Sequence, residues 1–210
     1  THQNIVSLCT SCDYIDLSKD TVLLSTGSVS FDATTIEFWG SLLNGGKLVI
    51  TDRDTLLNTD KLRDKITSHK VNTLWMTASW FHQVAEDNLS VFEGLTYLMV
   101  GGDKVLFNYT NKVLEHYPDL HIVNGYGPTE NTTFSTTHHI EANMDSDIPI
   151  GAPIKNSQAY IYNLDLSQLQ PVGIVGELCL GGSGLAKGYL NQDELTDEKF
   201  VSTPLVAGER

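Results

Sequence analysis

Basic residues are scarce in this chain. Thirteen lysines and arginines face 26 aspartates and glutamates, a formal charge of −13 at pH 7. A surface that acidic repels phosphate backbones at long range, which argues against a nucleic-acid partner. A small anionic ligand stays compatible, because backbone N–H groups and a bound cation can make one electropositive site. Long apolar runs are also lacking: nothing approaches the ~20 residues that span a bilayer, so no membrane role is expected. The opening "THQNIVSL" has neither the basic start nor the apolar stretch of a signal peptide. It lacks an initiator Met too, so an excised or partial chain is expected. Three cysteines (Cys9, Cys12, Cys179) are too few for a disulfide framework, and a reducing cytoplasm is the expected location. Cys9 and Cys12 form a C-x-x-C spacing with no second ligand pair and no βαβ unit before it, so they read as ordinary thiols. No Ser-His-Asp or Cys-His arrangement emerges. His138 and His139 are adjacent in a strand-like run, so they point to opposite faces and cannot share one metal. No internal repeat or low-complexity tract appears.

What is present suits a folded protein, with 40 % hydrophobic and 19 % charged residues. Strand-like runs ("TVLLS", "KLVIT", "VNTLWMT", "LTYLMVGG", "LHIVNGYG") alternate with amphipathic ones ("DATTIEFWGSLL", "TLLNTDKLRDKITSH", "SWFHQVAED", "VLFNYTNKVLEHY"). Asp32 is a candidate N-cap for the first of these helices, and Asn44-Gly45-Gly46 stops it. Helix after strand, through five strands, predicts an α/β fold: a parallel sheet covered by helices on both faces. After Glu130 the runs "TFSTTHHI", "QAYIYNL" and "GELCLGG" are shorter and more β-branched. A smaller, mostly-β subdomain is therefore expected, with the α/β unit over 1–140 and the β-rich unit over 141–210.

In open parallel sheets ligands gather at the carboxyl ends of the strands. Three unusual segments fall there: "SVSFDATT", "MVGGDK" and "NGYGPTE". In the last, Gly125 and Gly127 allow a sharp turn and close backbone approach, and Pro128 fixes φ before Thr129 and Glu130. Tyr126 offers a flat face on which a base can stack, worth ~1–3 kcal/mol. Thr129 can donate to a phosphate oxygen and Glu130 can bind Mg²⁺. Base, phosphate and metal together describe a nucleotide. The same residues also describe a plain Gly-Pro turn with a surface Tyr and Glu.

"NGYGPTE" resembles the nucleotide signature of the adenylation domains of nonribosomal peptide synthetases, within the adenylate-forming superfamily. "FDATTIEFWGSLLNGGKLVI" (31–50) resembles that family's substrate-side helix motif. "VGELCLGGSGLAKGYLNQDELTDEKF" (175–200) resembles its G-E-L-x-x-x-G-x-G-x-A-x-G-Y motif, and "PIGAPIKNSQAYI" fits the link between them. The resemblance spans essentially the whole chain. It implies a ligase that activates an amino acid with ATP, releases pyrophosphate, and loads the acyl group onto a phosphopantetheine thiol of a carrier domain, beside a condensation domain. Asp32 would hold the substrate ammonium group, a charge-assisted contact. Asn124 and Tyr126 would meet adenine, Gly102 the nucleotide by its backbone, Thr129 the α-phosphate, and Glu130 would ligate magnesium, so that Thr129 and Glu130 carry the chemistry. The side-chain pocket would be lined by Asp32, Ala33, Ile36, Trp75, Met99, Gly101, Gly125, Thr133 and Phe134. That lining disfavours a charged side chain and favours a compact aliphatic one, valine-like.

The resemblance further implies that the family's phosphate loop would precede Thr1, and that its ribose-binding stretch and catalytic-lysine subdomain would follow Arg210. The 210-residue chain alone is accordingly expected not to turn over. Two alternatives remain at this stage: an acyl- or aryl-acid-activating relative, which Asp32 opposes, and a non-catalytic substrate-binding subdomain.

Overall fold

A computed structural model describes residues 1–10 and 12–202. Five strands form the parallel part of one sheet: β1 (Val22–Leu24), β2 (Lys47–Val49), β3 (Thr73–Thr77), β4 (Tyr97–Gly101) and β5 (His121–Tyr126). All of their pairings are parallel, in the order β2-β1-β3-β4-β5. Two strands then return antiparallel on the β5 edge, β6 (Thr136–Ile140) and β7 (Ala152–Pro153). The separate small sheet pairs β8 (Ser157–Tyr162) with β9 (Glu177–Gly182), antiparallel.

The strands are short and apolar because both faces are covered. Leu74, Met76, Leu98, Val100 and Ile122 point into one core, together with Leu62 and Ile66 of helix α4 (Thr59–His69) and Phe81 and Val84 of α5 (Ala78–Asp87). Val113 of α6 (Phe107–His116) joins the same layer. The alternate residues Trp75, Met99 and Val123 point into a second core, against Leu8 of α1 (His2–Cys9) and Ile36 of α2 (Thr34–Leu42). The period of two thus assigns every central strand residue to one helix layer or the other. The expected α/β architecture is found, as a mostly parallel mixed sheet.

Two local expectations change. The stretch 55–69 forms two helices, α3 (Arg53–Leu56) and α4, because Asn58 turns out of the helix and its side chain accepts from Lys61 N–H. Asp32 does not cap α2: Ala33 occupies that position with no side-chain cap bond. The run "TFSTTHHI", within the unit expected over 1–140, joins the large sheet. Its partner is β5 next door, and β7 extends the large sheet beyond residue 140, so the small sheet begins only at Ser157. A two-residue strand ending in proline carries no periodic signal from which to foresee this pairing. A last helix, α7 (Asp193–Lys199), follows β9.

Among the described residues, no helix is long and apolar enough to cross a membrane. Cys9, Cys12 and Cys179 are free thiols, and burial pushes Cys9 to about 12 and Cys12 to about 11. Both are therefore protonated and unreactive near neutral pH.

Candidate functional site

The loops after β1, β4 and β5 leave from the same edge of the sheet, since these strands are parallel. The β1 loop, residues 25–33, is anchored from below by Glu37 of α2. Thr26 donates its N–H (2.9 Å) and its hydroxyl (2.6 Å) to Glu37 Oε1, and Gly27 N–H reaches the same oxygen at 3.2 Å. Glu37 is fully buried with no cation among its partners, and burial raises its carboxyl above 4.5 despite these donors. The anchored loop carries Asp32. Its carboxylate makes no capping bond to α2.

The β5 turn meets this loop directly. Thr133 donates its hydroxyl to the Asp32 carbonyl at 3.0 Å. Behind that contact, Phe134 packs on Trp75 with ring centroids 5.2 Å apart, and Tyr14 meets Phe134 edge-on. Trp75, Met99, Phe134 and Ile36 are buried in one cluster, with Ala33 partly buried against it. Gly101 and Gly125 pair across β4 and β5 on the same face. A Cβ on Gly101 would lie 2.0 Å from the Gly125 carbonyl, and one on Gly125 would lie 2.8 Å from the Phe134 ring. Glycine is required at both because the neighbours already fill the space. All nine residues expected to line a side-chain pocket are thus gathered on one face of the sheet. The large ones, Ile36, Trp75, Met99 and Phe134, are buried against one another there.

The two residues expected at adenine fall on the opposite face. Asn124 and Tyr126 alternate with Val123 and Gly125 along β5, so they point away from the Trp75 cluster. Tyr126 is 40 % exposed. Asn124 is buried, and its amide donates to the Pro149 carbonyl at 2.8 Å. Gly102 has φ +76° with nothing within 4 Å of a hypothetical Cβ, so its backbone is uncovered. The turn itself is a 3₁₀ segment, Thr129–Asn131, followed by Thr132 and Thr133 with φ of 52° and 69°. Two consecutive β-branched residues in the left-handed region are a true conformational outlier.

Glu130 lies in that turn. Its carboxylate accepts from the Tyr189 hydroxyl, which holds the phenol above its ordinary range, and its carbonyl accepts from Ala186 N–H at 2.7 Å. The residues "GSGLAKGY" therefore close over the turn from the small sheet. A cleft of about 750 Å³ opens beside Glu130, between Pro128, Tyr160, Tyr189 and Phe200. Its lining shares no residue with the Trp75 cluster. Among the described residues, no three His, Cys, Asp or Glu side chains are grouped so as to hold a metal. A single carboxylate beside a hydroxyl suits Mg²⁺, which keeps several waters and takes its other ligands from substrate phosphates.

Sequence patterning missed four contributors: Asn4, Glu37, Thr132 and the contact of Tyr189. Glu37 does leave a trace, since it interrupts the buried stripe of α2 made by Ile36, Gly40 and Ser41. Asn4 leaves none, because the partners of its amide nitrogen lie 128 to 181 residues away.

Comparison with known proteins points the same way. A family model described as AMP-binding enzyme matches residues 1–190. Tyrocidine synthase 3 of Brevibacillus parabrevis is 44 % identical over 99 % of this chain and 3 % of its own length. Surfactin synthase subunit 3 of Bacillus subtilis (strain 168) is 40 % identical over 100 % of this chain and 16 % of its own. The chain thus spans only a small part of the curated relatives it matches. The solved structure of a holo NRPS protein containing adenylation and PCP domains superimposes with a TM-score of 0.91 at 35 % identity, covering 97 % of this chain and 36 % of that one. The N-terminal subdomain of Klebsiella oxytoca NpsA, in complex with 3-hydroxybenzoyl-AMSN, gives a TM-score of 0.86 at 28 % identity, covering 97 % and 52 %.

Proposed function

Because the chain belongs to the AMP-binding enzyme family, among relatives that are nonribosomal peptide synthetases, we propose that it forms the core of a cytoplasmic domain that activates an amino acid with ATP. The carrying observation is the Thr133–Asp32 contact, which joins the substrate-side loop to the nucleotide-side turn at one edge of the sheet. A substrate carboxylate, already ionised near neutral pH, attacks the α-phosphorus of ATP. The new P–O bond gives the acyl adenylate, and the α–β bond breaks to release pyrophosphate. A carrier-domain phosphopantetheine thiol then takes the acyl group, losing its proton as AMP departs. A condensation domain would be the next partner in such an assembly.

The chain's own residues align two anions and offset their charge. Asp32 holds the substrate ammonium group, Thr129 contacts the α-phosphate, Tyr126 stacks on adenine beside Asn124, and the uncovered backbone at Gly102 faces the nucleotide. Glu130 would hold Mg²⁺, which supplies positive charge to the phosphates when bound. The buried apolar floor of Ile36, Trp75, Met99 and Phe134 supports a compact aliphatic substrate such as valine.

ATP–pyrophosphate exchange with a panel of amino acids and aryl acids, on the full-length protein, tests this reading. Exchange is expected with valine or a close aliphatic neighbour, and Asp32→Ala is expected to reduce kcat/KM at least 100-fold. Exchange with aryl acids only, or unaltered by Asp32→Ala, would overturn the assignment. Absence of exchange with every acid would favour a non-catalytic binding module.

A further inference from the structure

Asn4 lies on α1, outside every segment that resembles a site motif, yet its side chain is among the most connected in the molecule. It is 4 % exposed. Its Nδ2 lies 3.0 Å from Thr132 Oγ1, 2.6 Å from the Gly184 carbonyl and 2.9 Å from the Leu185 carbonyl. Its Oδ1 accepts from the Thr1 hydroxyl. Thr132 in turn donates its hydroxyl to the same Gly184 carbonyl at 2.6 Å. One amide thus gathers the amino-terminal helix, the β5 turn and the Gly184 loop.

Its partner Thr132 is where the backbone is least at ease. Thr132 and Thr133 both occupy the left-handed region, which a β-branched residue holds only when its surroundings fix it. The pair sits between Glu130 and Phe134. On one side is the turn proposed for phosphate and magnesium, and the hydroxyl of Thr133 itself reaches Asp32. Gly184 is also constrained: a Cβ there would fall 2.8 Å from Asn131 Oδ1 and 2.9 Å from the Asn131 carbonyl oxygen, so the loop backbone lies close against the turn.

We propose that Asn4 is a positioning residue of the acid-activating site. It fixes the left-handed Thr132–Thr133 step and thereby sets the distance between the nucleotide turn and Asp32. The inference rests on the proposed acid activation for its kinetic consequence, but not for its structural one. A contact that merely stabilised the fold would act on the whole molecule. A positioning contact acts on the turn.

Two readouts on the full-length protein separate these. Amide hydrogen exchange is read on peptides covering 129–135, where Thr132, Phe134 and Ser135 N–H groups are bonded within the turn, and on β3 and β4 as reference. Asn4→Ala is expected to accelerate exchange in the turn at least tenfold while leaving β3 and β4 unaltered. In pyrophosphate exchange, Asn4→Ala should lower kcat at least tenfold. Adding Thr132→Gly, which relaxes the left-handed requirement, should restore much of it. If Asn4→Ala does not fold, Asn4→Ser is used, a neutral polar side chain one atom shorter that adds no buried charge. Equal acceleration in turn and strands, an unaltered turn, or no recovery with Thr132→Gly would each overturn the proposal. A wild type with no exchange activity would defeat the proposed function alone, and the hydrogen-exchange result would still decide the role of Asn4.

Discussion

Glu37 is 0 % exposed, and its hydrogen-bond partners are donors on Thr26 and Gly27 rather than a cation. A carboxylate so placed loses hydration and recovers part of it from two backbone N–H groups and a hydroxyl. Truncation would strand those donors, so Glu37→Ala should cost roughly 2–4 kcal/mol of stability in urea titration. It should also release the loop carrying Asp32. The raised carboxyl has a definite sign in pH. Between 4.5 and its folded value the folded chain holds a proton that the unfolded chain has lost. Stability therefore falls as pH rises through that window. Glu37→Gln should remove this component, so that the variant gains on wild type as pH increases. A wild-type-minus-variant difference that stays flat with pH would contradict it.

At the scale of elements, the strand-to-turn passage from β5 decides the site, and it tolerates no added bulk. A Cβ on Gly127 would lie 2.6 Å from the Thr133 carbonyl and 2.7 Å from Ser135 N. Both atoms are backbone in a segment already held by the Ser135 N–H bond to Tyr126. Neither can swing aside. Gly127→Ala should cost about 1–3 kcal/mol and displace Thr133 from Asp32, with exchange activity falling further than stability. Equilibrium unfolding and exchange rates on one preparation check both. Gly127 was legible in the sequence because a glycine beside a proline after an apolar strand announces a tight turn. The left-handed Thr132 and Thr133 were not. Nothing in threonine favours that conformation, and the contacts enforcing it come from Asn4 and from the Gly184 loop, both distant in sequence.

Across the whole molecule, the parallel layers were legible for the same reason that the Asn4 contacts were not. Leu74, Met76, Leu98 and Val100 alternate with Trp75 and Met99, so periodicity alone sorts them into two cores. The return of β6 and β7 and the grip of Asn4 depend instead on which distant segments meet. The packing of the layers also makes a prediction of opposite sign to that of Glu37. His82 joins α5 to the start of α6: its Nε2 accepts from Leu106 N–H at 3.1 Å, and its ring stacks on Tyr109 at 4.6 Å. Burial lowers its pKa below 6.5, opposed by Asp103. His139 is lowered as well, first by burial and then by His121 and His138, with Asp13 opposing. Below 6.5 the unfolded chain takes up protons that these folded imidazoles refuse, so their contribution is present above 6.5 and is lost as pH falls through the lowered values. His82→Gln, which can still accept from Leu106, should flatten the acid side of the stability profile while leaving the protein near wild-type stability at pH 8. Thermal melts at matched ionic strength from pH 8 to 5 measure it, and parallel curves for the two proteins would rule out His82 as a source of the acid lability.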